Sequence, residues 1–415
     1  MTTSRERSPI RSPPTVEFPV VSSPLFMEEE EYPWYDPDTW YPVHIGAVFK
    51  SRYQVLVKLG YGSASTAWLC RDLEGHCYMT LKVFEQKSAQ AATEKAVYAH
   101  LETVRSHHPG QQYVRKLKDS FELPWKEGMN QCLVFDALAA NVKDVRERTT
   151  NNRLPKSFTI GVIYAVLQAL DFLHTRAHVI HTDLTDGNVM LSTPEESYFD
   201  AIVEEEWSDP MPRKLEGDRV VYHHRAVDIP SNPGPPILCD FGQAIVGSGE
   251  HRRIALPDLY RSPEMVLGIP WKEKIDIWAV GCMFWDLFEG KHLFIHMRGA
   301  LDEEGFGEND GDHLARIIAL LGVPPGGLLD RAVVPDRYFD NDPDGNFWFC
   351  GDIPHVSLEG EEDVLQGEEK ASFLRFISRC LQWRPEDRSS AAELVRDPLI
   401  AMVFGKPTSE AKAEH

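Results

Sequence analysis

The sequence predicts an α+β protein made of a small, mostly-β unit followed by a larger, mostly-α unit, with a cleft between them. Three observations carry this. Between residues 53 and 138, short alternating runs rich in β-branched and aromatic residues are broken by glycine, as strands are. After about residue 140, apolar residues recur at helical spacing. One late segment, "IDIWAVGCMFWDLF", is apolar nearly all round, which suits a helix buried at the centre of the larger unit.

Taken in order, residues 1–31 are Pro/Ser/Arg-rich and then acidic, a composition that predicts a disordered arm. Residues 32–52 form an N-terminal extension. "YQVLVKLG", "TAWLCRDL" and "CYMTLKVF" read as consecutive antiparallel strands. A helix at "AATEKAVYAHLETV" follows, then strands at "YVRKLKDSFEL" and "NQCLVFDAL". "FTIGVIYAVLQALDFLH" sets Ile163, Val166, Leu167, Leu170 and Leu173 on one helical face. "HLARIIALLG" and "FLRFISRCLQW" are further amphipathic helices, and residues 403–415 are a polar tail.

Composition narrows the function. Lys and Arg total 43 against 64 Asp and Glu, a net charge of −21, which argues against direct nucleic-acid binding. The seven cysteines lie far apart without a C-x-x-C pair, so a reducing compartment, cytoplasmic and/or nuclear, is expected. The longest apolar run is too short for a membrane span and carries Asp276 and Asp286. No signal-peptide core opens the chain. A monomer with no membrane partner is expected.

Four short motifs carry chemistry. "LGYGSASTAWL" places Gly60 and Gly62 between two strands, with Ser65 at a third small position. Glycines there let a turn offer its N–H groups to phosphate oxygens, although a plain hairpin has the same pattern. "MTLKVF" sets Lys82 on an apolar strand, where its charge needs a partner; Glu94 on the following helix is the candidate. Paired, the ammonium would be held against α- and β-phosphates. In "VIHTDLTDGNVML", Asp183 can take a proton from a hydroxyl nucleophile and Asn188 can offer an oxygen to a divalent metal. His181 reads as structural, packing under the loop. In "ILCDFGQA", Asp240 is suited to bridging metal and phosphates, and such oxygen donors are the hard ligands Mg²⁺ requires. All four in this order, with "YRSPEMVLG" and "DIWAVG" downstream, point to phosphoryl transfer.

These motifs resemble those of eukaryotic-type protein kinases over residues 53–402. Within that superfamily the chain is similar to the serine/arginine-protein kinases, especially their short fungal members. That resemblance rests on "YPVHIGAVFKSRYQVLVKLGYGSASTAWL", on "HTD" in the catalytic loop, on "DLYRSPEMVLG", and on an insert of about fifty residues between Asn188 and Asp240. It implies a bilobal fold with an N-lobe over 53–138 and a C-lobe over 139–402 that carries the insert at about 192–236. It also implies a protein serine/threonine kinase using ATP and Mg²⁺ on Arg-Ser-rich proteins of mRNA processing.

By matching position, Asp183 would be the catalytic base, and Asn188 and Asp240 would hold Mg²⁺. Lys82, oriented by Glu94, would bind the α/β-phosphates. Leu59, Gly60, Tyr61, Gly62, Ser63, Ala64, Ser65, Thr66 and Ala67 would cover the nucleotide, with Thr80 above the adenine and Met190 below. Phe135 would be the gatekeeper, with the backbone of Asp136 and Leu138 meeting the adenine. Glu264 would pair with Arg388, and Asp276 would anchor the catalytic loop.

Four positions depart from the family. Thr185 replaces a lysine that neutralises the γ-phosphate, a loss of about 2–4 kcal/mol of transition-state stabilisation, so slowed rather than absent transfer is expected. Ala67 and Thr80 stand where Val and Ala are usual; Ala67 thins the apolar roof over the adenine and Thr80 adds a hydroxyl, so a modest loss of ATP affinity is expected. Thr182 replaces the arginine that awaits an activation-loop phosphate. The segment from Asp240 to Glu264 holds only Ser248, Tyr260 and Ser262 as acceptors, so no activating phosphate is expected there.

The acidic run "ALDEEGFGENDGD", residues 300–312, would hold a basic peptide or else be a solvated loop. Ser8 and Ser12 lie in Arg-Ser-Pro contexts of the chain's own arm and are further candidate substrates. Two other readings stay open. A small-molecule phosphotransferase of the aminoglycoside type would lack "YRSPE" and "DIWAVG". A pseudokinase scaffold would keep the fold and lose the chemistry, which Thr185, Ala67 and Thr80 favour.

Overall fold

The computed structural model describes residues 7–21, 26–217, 219–253, 255–294, 310–333, 335–341, 347–349 and 351–404. The chain divides into two units. One comprises Met1–Ala99, Arg115–Ala140 and Met190–Pro235, the other His100–Val114, Asn141–Val189 and Pro236–His415. The longer helices are α1 (Ala89–Thr103), α2 (Lys156–Phe172), α3 (Glu196–Ser208), α4 (Lys274–Glu289), α5 (Asp310–Leu321) and α6 (Gly367–Cys380).

The first unit is built on an antiparallel sheet. Its strands are β1 (Val48–Phe49), β2 (Tyr53–Gly62), β3 (Ser65–Asp72), β4 (Cys77–Phe84), β5 (Leu117–Trp125) and β6 (Gly128–Asp136). They lie in the order β1-β2-β3-β4-β6-β5. Alternation sends Val55, Trp68, Cys70, Leu81, Val83 and Val134 into one buried cluster. Leu56, Val57 and Leu69 form another with Phe199, Ile202 and Val203 of α3. The small mostly-β unit thus has the expected strands.

Two boundaries differ from expectation. The insert was expected within the helical unit, yet α3 and the hairpin Arg213–Glu216/Arg219–Tyr222 belong to the β unit. Apolar residues of α3 and Tyr222 complete its clusters. Second, the arm 1–31 was expected to be disordered, but its described residues are bound to the same unit. The Ser8 amide donates to the Leu73 carbonyl (2.8 Å), Gln54 Nε2 to the Arg11 carbonyl (2.6 Å), and Trp207 Nε1 to the Ser12 carbonyl (2.9 Å). Arg11 grips Glu204 with two hydrogen bonds of 2.7 and 2.9 Å and lies over the Trp207 ring. Glu28–Glu31 form a 3₁₀ turn in which Glu28, Glu29 and Glu30 are buried. The acidic run survives burial because partners meet it: the ammonium of Lys58 bonds Glu29, that of Lys214 bonds Glu30 at 3.0 Å, and the His224 ring bonds Glu28 at 2.9 Å.

The second unit is mostly helical. Every residue from Ile275 to Glu289 of α4 is buried, as its all-round apolar pattern requires. Helix α2 with its continuation, Lys156–Ala177, has the length and hydropathy of a membrane span, but it is largely buried among protein neighbours, as a core helix is. It ends in a π turn, Leu173–Ala177, that leads through His178 into the strand Val179–Ile180 and the catalytic-type loop. Gly110 lies against α2 so closely that a Cβ there would stand 1.8 Å from the Gln168 carbonyl oxygen. Gly110→Ala should therefore destabilise this unit by about 2–3 kcal/mol, read as a lower urea midpoint with unchanged slope.

Candidate active site

In the second unit, the loop 181–188 is fixed from below by one carboxylate. Asp276, buried on α4, accepts from the main-chain N–H of His181 (2.9 Å) and of Thr182 (2.9 Å), and from His174 Nε2 at 2.8 Å. The expectation that Asp276 anchors this loop is met. Thr182 sits at φ +67°, costly for a β-branched residue, and its hydroxyl donates to the Gln243 carbonyl at 2.7 Å. His181 is fully buried, bonds the Cys239 carbonyl at 3.0 Å and packs on Phe241, a structural role as expected.

Above that anchor, Asn188 donates its amide Nδ2 to the Asp183 carbonyl (2.7 Å) and to Asp183 Oδ2 (3.1 Å). With both N–H groups turned to Asp183, Oδ1 is the atom Asn188 presents to a cation. The Cys239 amide donates to the Asn188 carbonyl (2.8 Å), which holds the segment ending in Asp240 beside the loop. Asp240 adopts φ +62°, and its Oδ1 accepts from the Gly242 amide at 3.2 Å. The structure thus brings Asp183, Asn188 and Asp240 into one hydrogen-bonded neighbourhood. Their oxygen donors suit a hard divalent cation.

Sequence reasoning missed what holds Asp186, next to Thr185. Its carboxylate is buried and accepts from Arg146 Nε at 2.8 Å. Burial pulls the Arg146 pKa down, and the Asp186 charge more than restores it. Nothing local marks Arg146, forty positions away. Asp286, visible only as an acid in an apolar helix, accepts from Tyr260 Oη (2.7 Å) and His292 Nδ1 (2.6 Å). Burial pushes its carboxyl up, while the His292 contact pulls it back and raises His292. Glu264 and Arg388 form the expected pair, with two bonds of 2.6 Å.

In the first unit, β2 and β3 close a hairpin whose last pair is Gly62 with Ser65. Trp34 Nε1 donates to the Ser63 carbonyl (2.8 Å), Gln90 reaches the Ser63 hydroxyl (3.2 Å), and the Glu85 amide donates to the Ala64 carbonyl (2.9 Å). The Thr66 hydroxyl accepts from Trp68 Nε1 at 2.9 Å. A Cβ on Gly60 would meet no protein atom within 4 Å, so packing alone does not demand glycine there. Close approach of a ligand to the backbone would. Lys82 Nζ bonds Glu94 Oε2 at 2.8 Å, and Glu94 is buried, so the expected pair is formed.

Thr80 is buried opposite Leu69 and Phe135 in neighbouring strands. Phe135 is buried against Tyr98 and under the Arg115 guanidinium. Asp136 is exposed and pairs with Lys118 at 2.7 Å, Leu138 is buried, and Met190, Ala67, Tyr61 and Leu59 are half-buried.

The protein kinase domain profile matches residues 53–400. A serine/threonine protein kinase of Aspergillus fumigatus is 39% identical over 401 residues, which is 95% of each chain. The serine/threonine-protein kinase SRPK of Physarum polycephalum is 29% identical over 416 residues, 92% of this chain and 94% of that one. A probable serine/threonine-protein kinase of Dictyostelium discoideum is 27% identical over 379 residues, covering 88% of this chain and 38% of its own.

Proposed function

The chain belongs to the protein kinase family and is a serine/threonine protein kinase, and on that premise we propose that it phosphorylates serine in basic, Arg-Ser-rich protein segments with Mg-ATP. The observation that carries the chemistry is the Asn188–Asp183 pair held over Asp276. Asp183 takes the proton of the attacking serine hydroxyl. Asn188 Oδ1 and the Asp240 carboxylate hold the metal, a donor set that fits Mg²⁺. Lys82, oriented by Glu94, binds the α- and β-phosphates, while the backbone from Leu59 to Ala67 covers them and the Asp136–Leu138 backbone meets the adenine. Mg-ATP supplies the phosphoryl group and the charge that offsets its transfer.

Support for a basic substrate is the net charge of −21 and the SRPK relative. The acidic run 300–312 lies outside the described residues up to position 309, and Asp310 is already committed to Arg261 at 2.8 Å. The test is a Mg-ATP assay on Arg-Ser against Lys-Ser repeat peptides. At least tenfold preference for Arg-Ser is expected, and equal rates would leave only a generic kinase. Of the chain's own serines, Ser12 is exposed, whereas the Ser8 hydroxyl bonds His76 Nδ1 at 2.6 Å. Self-phosphorylation would therefore modify Ser12 before Ser8, a sequence that timed mass spectrometry reads directly.

Thr185 is the observation that favours a second reading, an ATP-binding scaffold without transfer. Restoring the cation discriminates. Thr185→Lys should raise kcat roughly 30-fold or more, the equivalent of about 2 kcal/mol. ATP binding with no turnover in either protein would select the scaffold. Tyr260 and Ser262 are buried and Ser248 is exposed, which supports a kinase that needs no activation-loop phosphate. Phosphatase-treated protein should keep its full rate in the same assay.

A further inference from the structure

We propose that Glu28, His223 and His224 form a site for a divalent transition-metal ion, Zn²⁺ by its donor chemistry, that fastens the N-terminal segment to the hairpin of the insert. Nδ1 of His224 lies 2.9 Å and Nδ1 of His223 3.1 Å from the same oxygen, Glu28 Oε1. All three donor atoms fall within 4.8 Å of one another. Ligands of a tetrahedral zinc, each about 2.0–2.2 Å from the ion, stand about 3.3–3.6 Å apart, so the two spacings between Glu28 and the histidines need to open by only a few tenths of an ångström.

The surroundings suit a ligand set more than a plain hydrogen bond. One imidazole would satisfy Glu28, yet two adjacent side chains turn the same ring nitrogen toward it, with their rings stacked at 5.4 Å. Glu28 is buried and held at φ +60°, a conformation a non-glycine residue adopts only when its surroundings impose it. The His224 amide steadies Oε1 at 3.2 Å, and the Lys58 ammonium stands 3.6 Å from Oε2. Lys58 is itself tied to Glu29 and to the Tyr222 carbonyl. A carboxylate giving one oxygen to a metal and the other to a fixed cation is the outer-shell arrangement that orients metal ligands.

His223 is 45% exposed, which leaves a solvent side for the ion to enter and for water to complete the coordination. Two imidazoles and a carboxylate favour zinc or its neighbours in the transition series over Mg²⁺ or Ca²⁺. Binding needs both rings with the proton on Nε2, so each Nδ1 gives up the hydrogen bond it now makes, to Glu28 and, for His223, to the His224 carbonyl at 3.2 Å as well. The ion would add a link between residues 196 positions apart, from one end of the first unit's sequence to the other.

The experiment is titration of the full chain, stripped with EDTA, with Co²⁺ and then Zn²⁺. One Co²⁺ should bind with d–d absorption free of sulfur charge-transfer bands, and one equivalent of Zn²⁺ should displace it while excess Mg²⁺ does not. His223→Ala/His224→Ala and, separately, Glu28→Gln should each weaken Zn²⁺ binding at least tenfold and remove the Zn²⁺-dependent rise in Tm. The histidine variant changes only partly exposed side chains, so its melting without metal checks that it folds. Unchanged affinity in the folded histidine variant would overturn the proposal. So would a cobalt spectrum that reports thiolate ligands, or no binding by the wild-type chain.

Discussion

Arg388→Ala should destabilise the helical unit by about 3–5 kcal/mol, the range expected when one member of a buried ion pair is removed. Neither side chain of the Arg388–Glu264 pair has any exposure, and the two bonds of 2.6 Å match a guanidinium fork to a carboxylate. Arg388 also donates to the carbonyls of Gln382 (3.0 Å) and Lys274 (3.1 Å) and lies over the Trp278 ring. Truncation leaves Glu264 charged in a dry site and takes one donor from each of two carbonyls, beside a cavity. The loss is a large fraction of a typical domain's 5–15 kcal/mol. Lysine cannot reproduce the planar fork, so Arg388→Lys should recover less than half of it. Urea unfolding followed by far-UV circular dichroism measures both variants. A loss under 1 kcal/mol in Arg388→Ala would show that this pair contributes little.

What was legible in the sequence follows from where the information sits. Strand alternation, helical spacing and the all-round apolar α4 are local patterns, and those elements formed as expected. Lys82 with Glu94 was legible because an unpartnered charge on an apolar strand calls for an opposite one on the next helix. The N-terminal segment was not. "MEEEE" has the composition of a solvated run, and its burial depends on Lys58, Lys214 and His224, which are 29, 184 and 196 positions from their partners. Composition carries no trace of such distant pairing. The insert was misplaced for a related reason: α3 is amphipathic, but nothing in its pattern names Leu56, Val57 and Leu69 as the surface it covers. In the site, Arg146 was invisible because Asp186 lies in the loop's most familiar stretch, where attention falls on Thr185.

Asp183→Asn should lower kcat by about 10²–10⁴-fold while leaving the KM for ATP within a few-fold of wild type. The geometry makes this substitution unusually clean. Asn188 holds the loop through the Asp183 main-chain carbonyl at 2.7 Å, a bond any residue at 183 retains. Asp276 fixes the His181 and Thr182 amides without reference to the side chain at 183. The 3.1 Å bond from Asn188 Nδ2 to Asp183 Oδ2 is one that an asparagine Oδ1 can still accept. What asparagine cannot do is take a proton, so the loss falls on the chemical step. Asp276→Ala gives the contrast: it unfastens two backbone amides and His174 together, and should lower stability as well as rate. Steady-state kinetics on an Arg-Ser peptide, with thermal melting of each variant, separates the two. Because Thr185 is expected to slow the reference reaction, the Asp183→Asn comparison is best repeated in the Thr185→Lys background, where a larger starting rate would expose the full range. A drop below tenfold there, with the fold intact, would remove Asp183 as the base.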